Sequence, residues 1–155
     1  MTTTDAQLIA ELRDLRDRVV GVTDVLVASA DGLLITAETD RAVDAEALAA
    51  LTAAALGVAR RTGALAGRGL LDHASARFTG GCLTAHAIGE TALIGVLGDA
   101  GTDLGRLNTE ARASAERIGG LLTGAPAAPV VPAPVVPAPP AHPTTTHAPA
   151  PEGAR

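Results

Sequence analysis

The stretch that most constrains this chain runs from Val22 to Thr39, where two β-prone runs flank the dipeptide Asp31-Gly32. This dipeptide tolerates the positive φ angles of a two-residue type I′ turn, so the pattern predicts a β-hairpin in which Ala28 opposes Ile35. Both faces of the hairpin are largely apolar near the turn. A sheet with one solvated face alternates apolar and polar residues, so we expect other elements to cover both faces of this sheet.

Proline divides the chain into two parts. All ten prolines lie at or after Pro126, in a segment rich in Ala, Pro, Val and Thr. We therefore predict one globular domain over residues 1–123 and a disordered, extended tail over residues 124–155. We interpret the tail as a spacer, with a ligand for a proline-binding groove as the alternative. A domain of this length can bury roughly two-thirds of its unfolded surface, which is enough for one core.

Charge and cysteine content exclude several classes of function. The net charge of −5 argues against non-specific binding to nucleic acid or to an anionic membrane surface, both of which require clustered positive charge. The single cysteine, Cys82, cannot form an intramolecular disulfide and leaves no metal-binding cluster. No stretch is long and apolar enough for a membrane span, and residues 1–20 are charged and lack the continuous apolar core of a secretory signal. We expect a cytoplasmic protein without a metal or cofactor.

Three segments have helical periodicity: residues 4–20, residues 44–65, and the segment that begins at Thr102 or Asp103. The second is rich in alanine and carries charge only near its ends, where Arg60 and Arg61 lie close to its C-terminus. A helix that is apolar on more than one side is buried on more than one side. We therefore expect one side to cover the sheet and the other to bind a partner. Its apolar positions include Leu48, Leu51, Ala55, Val58, Thr62 and Leu65, with Leu56 to one side.

Three further strands are predicted over residues 69–78, 82–88 and 91–97. The first mixes apolar and polar residues, as edge strands do. The other two flank Gly89-Glu90, and a two-residue turn there places Ala85 opposite Ile94 and His86 opposite Leu93. The element order is α-β-β-α-β-β-β-α, which predicts an α+β fold with an antiparallel sheet and helices on both of its faces.

No catalytic motif is present. Asp72 and His73 are adjacent, so in a strand their side chains point to opposite faces. Cys82 and His86 are roughly 13 Å apart on an extended strand, too far for a nucleophile and its base. The glycine-rich pieces match neither a dinucleotide fingerprint nor a P-loop. We predict a protein that is not an enzyme; an enzyme would need Asp72, His73 or His86 to line one pocket.

With this order of elements, residues 5–123 resemble the roadblock/LC7 family. The resemblance rests on Val20-Gly21-Val22 at the end of the first helix, on the hairpin from Val27 to Ile35, on the alanine-rich helix, and on the segment from Ala100 to Gly105. It implies a five-stranded antiparallel sheet, with the long second helix on one face and the terminal helices on the other.

The resemblance also implies a function through partners. Family members commonly dimerise by pairing edge strands and setting their central helices side by side. Bacterial members often accompany a Ras-like small GTPase, sometimes with a sensor-kinase-like protein of the same operon. The hypothesis is a homodimeric regulator or scaffold for such a GTPase; a small-molecule sensor with a pocket against the sheet is the alternative. The predicted interface comprises Leu48, Leu51, Ala55, Val58, Arg60, Arg61, Leu71 and His73.

Overall fold

The computed structural model describes residues 2–40 and 42–124, so the predicted tail lies, from residue 125 onward, outside the described residues. The element order α-β-β-α-β-β-β-α is confirmed. Within these ranges, no helix is both long and apolar enough to cross a membrane. The elements are α1 (Thr3–Arg18), β1 (Val22–Ser29), β2 (Leu34–Glu38), α2 (Ala45–Leu65), β3 (Ala74–Phe78), β4 (Gly81–Ile88), β5 (Ala92–Asp99) and α3 (Leu104–Thr123).

The strands form one five-stranded sheet in the order β2-β1-β5-β4-β3, and all neighbours are antiparallel. Helix α2 lies on one face, and α1 and α3 lie on the other, as the resemblance implies. The two edge strands are β2 and β3, which confirms the edge position predicted for the third strand. At the β2 edge, Glu38 pairs with Arg13 of α1, with Oε1 and Nη2 3.0 Å apart.

The β1–β2 hairpin differs from the predicted one in its turn. Ala28 pairs with Leu34 and not with Ile35, so β2 contains a bulge close to the turn. Gly32 has a φ of +93°, and its N–H donates to the carbonyl oxygen of Ser29 at 2.9 Å. This is a three-residue loop in which glycine takes the left-handed conformation, a common alternative to the two-residue turn. The extra loop residue displaces the pairing next to it.

The pairing of β4 with β5 also differs by one residue. Ala85 pairs with Gly95 where Ile94 was predicted, and His86 pairs with Ile94 where Leu93 was predicted. A one-residue shift moves every side chain of a strand to the other face. Ile94 therefore lies under α1 and α3, and Gly95 faces α2.

The face under α1 and α3 holds the larger core. Its fully buried branched side chains include Leu8, Leu12, Leu15, Val25, Val27, Ile94, Val96, Leu107 and Ile118.

A charged cluster also joins α1 and α3, since Glu11 Oε1 accepts hydrogen bonds from Arg18 Nη2 at 3.0 Å and Arg117 Nη2 at 2.8 Å. Ser114 Oγ donates to the same oxygen at 2.7 Å. Burial raises the pKa of Glu11, but these hydrogen bonds outweigh it, and the net shift is downward.

The face under α2 holds a thinner core of alanine and a few leucines, among them Leu26, Leu56 and Leu93. The helix approaches the sheet closely because Gly95 has no side chain. A Cβ at that position would lie 2.9 Å from Cγ2 of Thr52, which is fully buried. Alanine and glycine thus allow contact, but they leave little volume to bury.

Candidate interaction surface

The outer side of α2 carries an apolar stripe that no described residue covers. The helix buries Ala49 and Leu56 against the sheet. On the opposite side, Leu51, Val58 and Leu65 are 68%, 66% and 92% exposed. These three residues follow one another at intervals of seven, so they lie along one line of the helix. An exposed apolar stripe with this spacing is typical of a helix that packs against another helix.

A groove of about 410 Å³ continues this stripe to the edge of the sheet. Strand β3 alternates, with Ala74, Ala76 and Phe78 on the side of α2 and polar residues on the other side. Phe78, the only aromatic residue of the chain, is more than half exposed. The groove is lined by Ala55, Val58, Ala59, Ala74, Ser75, Ala76, Leu83 and Ala85.

The residues predicted for the interface on α2 occupy three kinds of position. Leu48 is half-buried and packs against the core under this helix. Leu51, Ala55 and Val58 are exposed, and the last two line the groove. Arg60 and Arg61 are exposed and form no ion pair with a described residue.

The two predicted residues that precede β3 lie on different faces. Leu71 packs against the core under α2. His73 lies under the other face, where its ring stacks on His86 of β4 with centroids 5.2 Å apart and planes 18° from parallel. The structure therefore brings Leu71 together with the residues of α2 and places His73 away from them. The prediction assumed a strand from residue 69, but β3 begins only at Ala74.

Asp72 and His73 also contact each other, contrary to the prediction from a strand geometry. His73 Nδ1 lies 2.8 Å from Asp72 Oδ2, and Arg112 of α3 contacts the same carboxylate. The hydrogen bond with His73 is the main cause of a lowered pKa of Asp72. The groove beside β3 is not lined by Asp72, His73 or His86, and neither is a second cavity beside α2.

The second cavity, of about 550 Å³, lies on the flank of α2 away from β3. Arg60 and Glu90 stand at its rim, and both are exposed. Leu70 and Leu71 supply apolar lining, together with Ala64, Gly69, Ala87 and Gly89. In the described parts of the chain, no three His, Cys, Asp or Glu residues are placed to hold a metal ion.

The interface predicted from sequence includes Leu71 and His73 of the third predicted strand, but none of the residues that form β3 itself. The alternation of Ala74, Ala76 and Phe78 with Ser75 and Arg77 is the signal that identifies an apolar side. It was obscured because the strand was predicted to start five residues earlier, at Gly69, in a segment that does not alternate.

Comparison with known proteins places the chain in a family. The sequence model of the Roadblock/LC7 domain family matches residues 8–98 of this chain. The chain belongs to the roadblock/LC7 family. Over 98 residues it is 35% identical to the uncharacterized protein MJ1340 of Methanocaldococcus jannaschii, a match that covers 63% of this chain and 85% of that protein.

Solved roadblock/LC7 structures share the fold. A roadblock/LC7 domain from Streptomyces avermitilis superposes with a TM-score of 0.69 at 21% identity, over 74% of this chain and 96% of that one. A structure of MglB with a tetrameric arrangement superposes with a TM-score of 0.72 at 15% identity, over 80% and 93% of the two chains. At these low sequence identities the superpositions show a shared fold alone. The properties of the surface depend on the residues of this chain.

Proposed function

We propose that this roadblock/LC7 protein is a non-enzymatic, cytoplasmic homodimer that regulates or scaffolds a Ras-like small GTPase. The observation that carries the proposal is the uncovered stripe of Leu51, Val58 and Leu65, which continues through the groove to the free edge of β3. An apolar stripe beside an unpaired strand offers a second copy both backbone hydrogen bonds and apolar contact.

Symmetry restricts how two copies can use this surface. If the β3 strands of two copies pair antiparallel, the two-fold axis is perpendicular to the sheet. Both α2 helices then lie on the same face and run in opposite directions. Because Leu51 and Leu65 are equally spaced from Val58, a pair centred on Val58 sets Leu51 of each copy against Leu65 of the other. The alanines between them allow the helices to approach closely.

The first test compares two leucines that are exposed to the same extent. Leu51 on α2 and Leu33 in the β1–β2 loop are each 68% exposed. We expect Leu51→Arg to reduce the mass measured by light scattering from that of a dimer to that of a monomer, because it would bury an unpaired charge in the interface. Leu33→Arg should leave the dimer mass unchanged. A dimer that survives Leu51→Arg would contradict the proposed interface.

A second test fixes the centre of the interface. Under mild oxidation, Val58→Cys should form a disulfide between two copies, since residues on a two-fold axis approach within the range that a disulfide spans. Ala64→Cys is the matched control, because Ala64 is exposed on the same helix but lines the other cavity. The native Cys82 is buried and stays in both variants. Equal cross-linking of the two variants would refute a centre at Val58.

The GTPase partner is supported by the family. Bacterial relatives of this kind often accompany a Ras-like GTPase, and the exposed Arg60 and Arg61 supply positive charge beside the apolar stripe. We expect the folded dimer to retain a Ras-like GTPase from a neighbouring gene, loaded with GTP or with GDP, in a pull-down assay. Absence of binding in both nucleotide states would exclude this function. A sensor-kinase-like protein of the same operon is a further expected partner.

A small-molecule sensor is the second candidate, and the cavity of about 550 Å³ favours it. Cavities of a few hundred Å³ with a few polar groups at the rim are typical of small-ligand sites. Ala64→Trp would fill this cavity from α2. If a thermal-shift screen finds a ligand that stabilises the wild-type chain but not this variant, the sensor function gains support over the scaffold.

A further inference from the structure

A polar cluster joins the start of β3 to α3, on the face of the sheet opposite α2. The apolar stripe of the proposed dimer lies on the other face of the sheet and does not include it. Its centre is the stacked pair of His73 and His86. Asp72 extends it to α3, because its carboxylate contacts both His73 and Arg112. Along β3, Ser75 Oγ lies 3.0 Å from Thr84 Oγ1 and 3.4 Å from Asn108 Oδ1 of α3, and Asn108 also contacts Thr84.

This cluster is the attachment of the β3 edge to α3. Helix α3 packs on β4 and β5, and its connection to β3 runs through these polar side chains. The segment that holds Asp72 and His73 immediately precedes the strand whose free edge the proposed dimer pairs. Strand β3 is held by its backbone pairing with β4, and the contacts of Asp72 and His73 add a link from its N-terminal end to α3 and to His86.

His86 is the buried member of the stack. The residue is 3% exposed, and its Nε2 has no hydrogen-bond partner among the described residues. Burial, and then the charge of His73, lower the pKa of His86 to about 4; Arg112 acts in the same direction, while Asn108 and Asp72 oppose it. A neutral imidazole can stack on His73 in this site, whereas an imidazolium would have to share it with His73 and Arg112.

We propose that the stacked His73 and His86 form a latch that fixes the start of β3 to α3, and that protonation of His86 opens it. Among the described residues, the carboxylate that faces the pair is that of Asp72, and it is already shared by His73 and Arg112. A charged His86 would therefore lie buried beside His73 and Arg112 without a counter-ion of its own. His73 would leave the stack, Asp72 would lose one of its partners, and the edge of β3 would fray. The coupling of this latch to dimer formation rests on the proposed function, but the latch itself does not.

The sign and size of the proton dependence follow from the two states of His86. In the open state its pKa returns toward the ordinary value of 6.5, so the open state binds more protons than the closed one between pH 6.5 and about 4. Opening should therefore become more favourable as the pH falls through this window. Between pH 7.5 and 4.5 we expect an increase in the opening equilibrium on the order of 50-fold.

Hydrogen exchange on the full chain measures this opening directly. After correction for intrinsic exchange rates, amides of residues 74–78 should lose protection by this factor on acidification, while amides of α1 keep theirs. His86→Phe keeps a buried ring in the stack but cannot be protonated, so its exchange at β3 should be nearly independent of pH. The other three histidines remain in the variant, which assigns the effect to His86. The same acid dependence in His86→Phe and wild type would overturn the latch.

Two further measurements separate the latch from the dimer. The Leu51→Arg chain is expected to be a monomer. The acid dependence of hydrogen exchange at residues 74–78 of this variant therefore tests the latch in the absence of the dimer interface. In the wild-type chain, the dimer dissociation constant should rise on acidification, and in His86→Phe it should not. If His86→Phe does not fold, an NMR titration of the wild-type chain replaces it. Amides of β3 that titrate together with His86 would support the latch, and amides that do not respond to its protonation would refute it.

Discussion

The two faces of the sheet are covered in different ways. On one face, α1 and α3 bury large branched side chains and are joined by the charged cluster around Glu11. On the other face, the single helix α2 contacts the sheet through alanine, Thr52 and a glycine, and it leaves Leu51, Val58 and Leu65 exposed. Most of the stability of the monomer should therefore come from the first face, and most of the binding from the second. The following variants test this difference.

The largest effect is expected for a leucine on the well-packed face. Leu12→Ala removes a fully buried side chain between α1 and the sheet, and should lower the free energy of unfolding by about 2–5 kcal/mol. Leu51→Ala removes the same atoms from the exposed side of α2 and should change it by less than about 0.5 kcal/mol. Denaturant unfolding followed by circular dichroism, at a concentration where the mass is that of a monomer, gives both values. Equal losses would contradict the division between the faces.

The next effect concerns the close approach of α2 to the sheet. Gly95→Ala would place a Cβ 2.9 Å from Cγ2 of Thr52, a distance at which one of the two elements has to move. We expect a loss of about 1–3 kcal/mol, as for other overpacked cores. The double variant Gly95→Ala with Thr52→Ala should recover part of this loss, because it removes the group that the new methyl meets. No recovery would mean that the strain arises elsewhere.

A smaller effect should come from the charged cluster. Glu11→Gln leaves Arg18 and Arg117 without their shared carboxylate and should cost about 1–2 kcal/mol at neutral pH. Because the folded-state pKa of Glu11 is lowered, its contribution is complete above the ordinary value of 4.5 and is lost as the pH falls through the folded-state pKa. The difference between wild type and variant should therefore shrink in acid. Glu38→Gln, at an exposed ion pair, should cost less than about 0.5 kcal/mol.

The smallest effect is expected at Gly57 of α2. A Cβ there would meet nothing within 4 Å, so Gly57→Ala brings a gain in helix propensity without a clash. We expect the monomer to become more stable by about 0.5–1 kcal/mol. Compared with Gly95→Ala, this variant would show that replacing glycine by alanine raises the free energy of unfolding on the helix and lowers it on the strand beneath. A destabilised monomer would mean that Gly57 has a contact not evident in this fold.

The elements of this fold follow from local signals, but the pairing between strands does not. Helix α2 was predicted from residue 44 to 65 and spans Ala45–Leu65 with Asp44 as its N-cap, because capping and periodicity are properties of neighbouring residues. Both hairpins were predicted with two-residue turns and have longer loops. Loop length depends on hydrogen bonds such as that between Gly32 and Ser29, which several turn types can form.

The candidate surface was predictable on the helix and less so beside it. An alanine-rich helix with no charge in its middle turns indicates two apolar sides from sequence alone, which identified Leu51 and Val58. The surroundings of His73 were not predictable from a strand pattern, because β3 starts only at Ala74 and His73 lies before it. In this segment Asp72 contacts Arg112, and His73 stacks on His86, and both partners are distant in sequence.

The two edges of the sheet differ in a way that sets a limit on assembly. The β2 edge is bulged near Ile35, and its far end holds the ion pair of Glu38 with Arg13. Irregular and charged edges resist the addition of further strands, whereas the β3 edge is regular and flanked by apolar surface. A chain with one sheet edge that can pair binds one other copy through that edge, and the resulting dimer has no further edge of this kind. Association by this route would therefore stop at a finite pair and would not continue into a fibre.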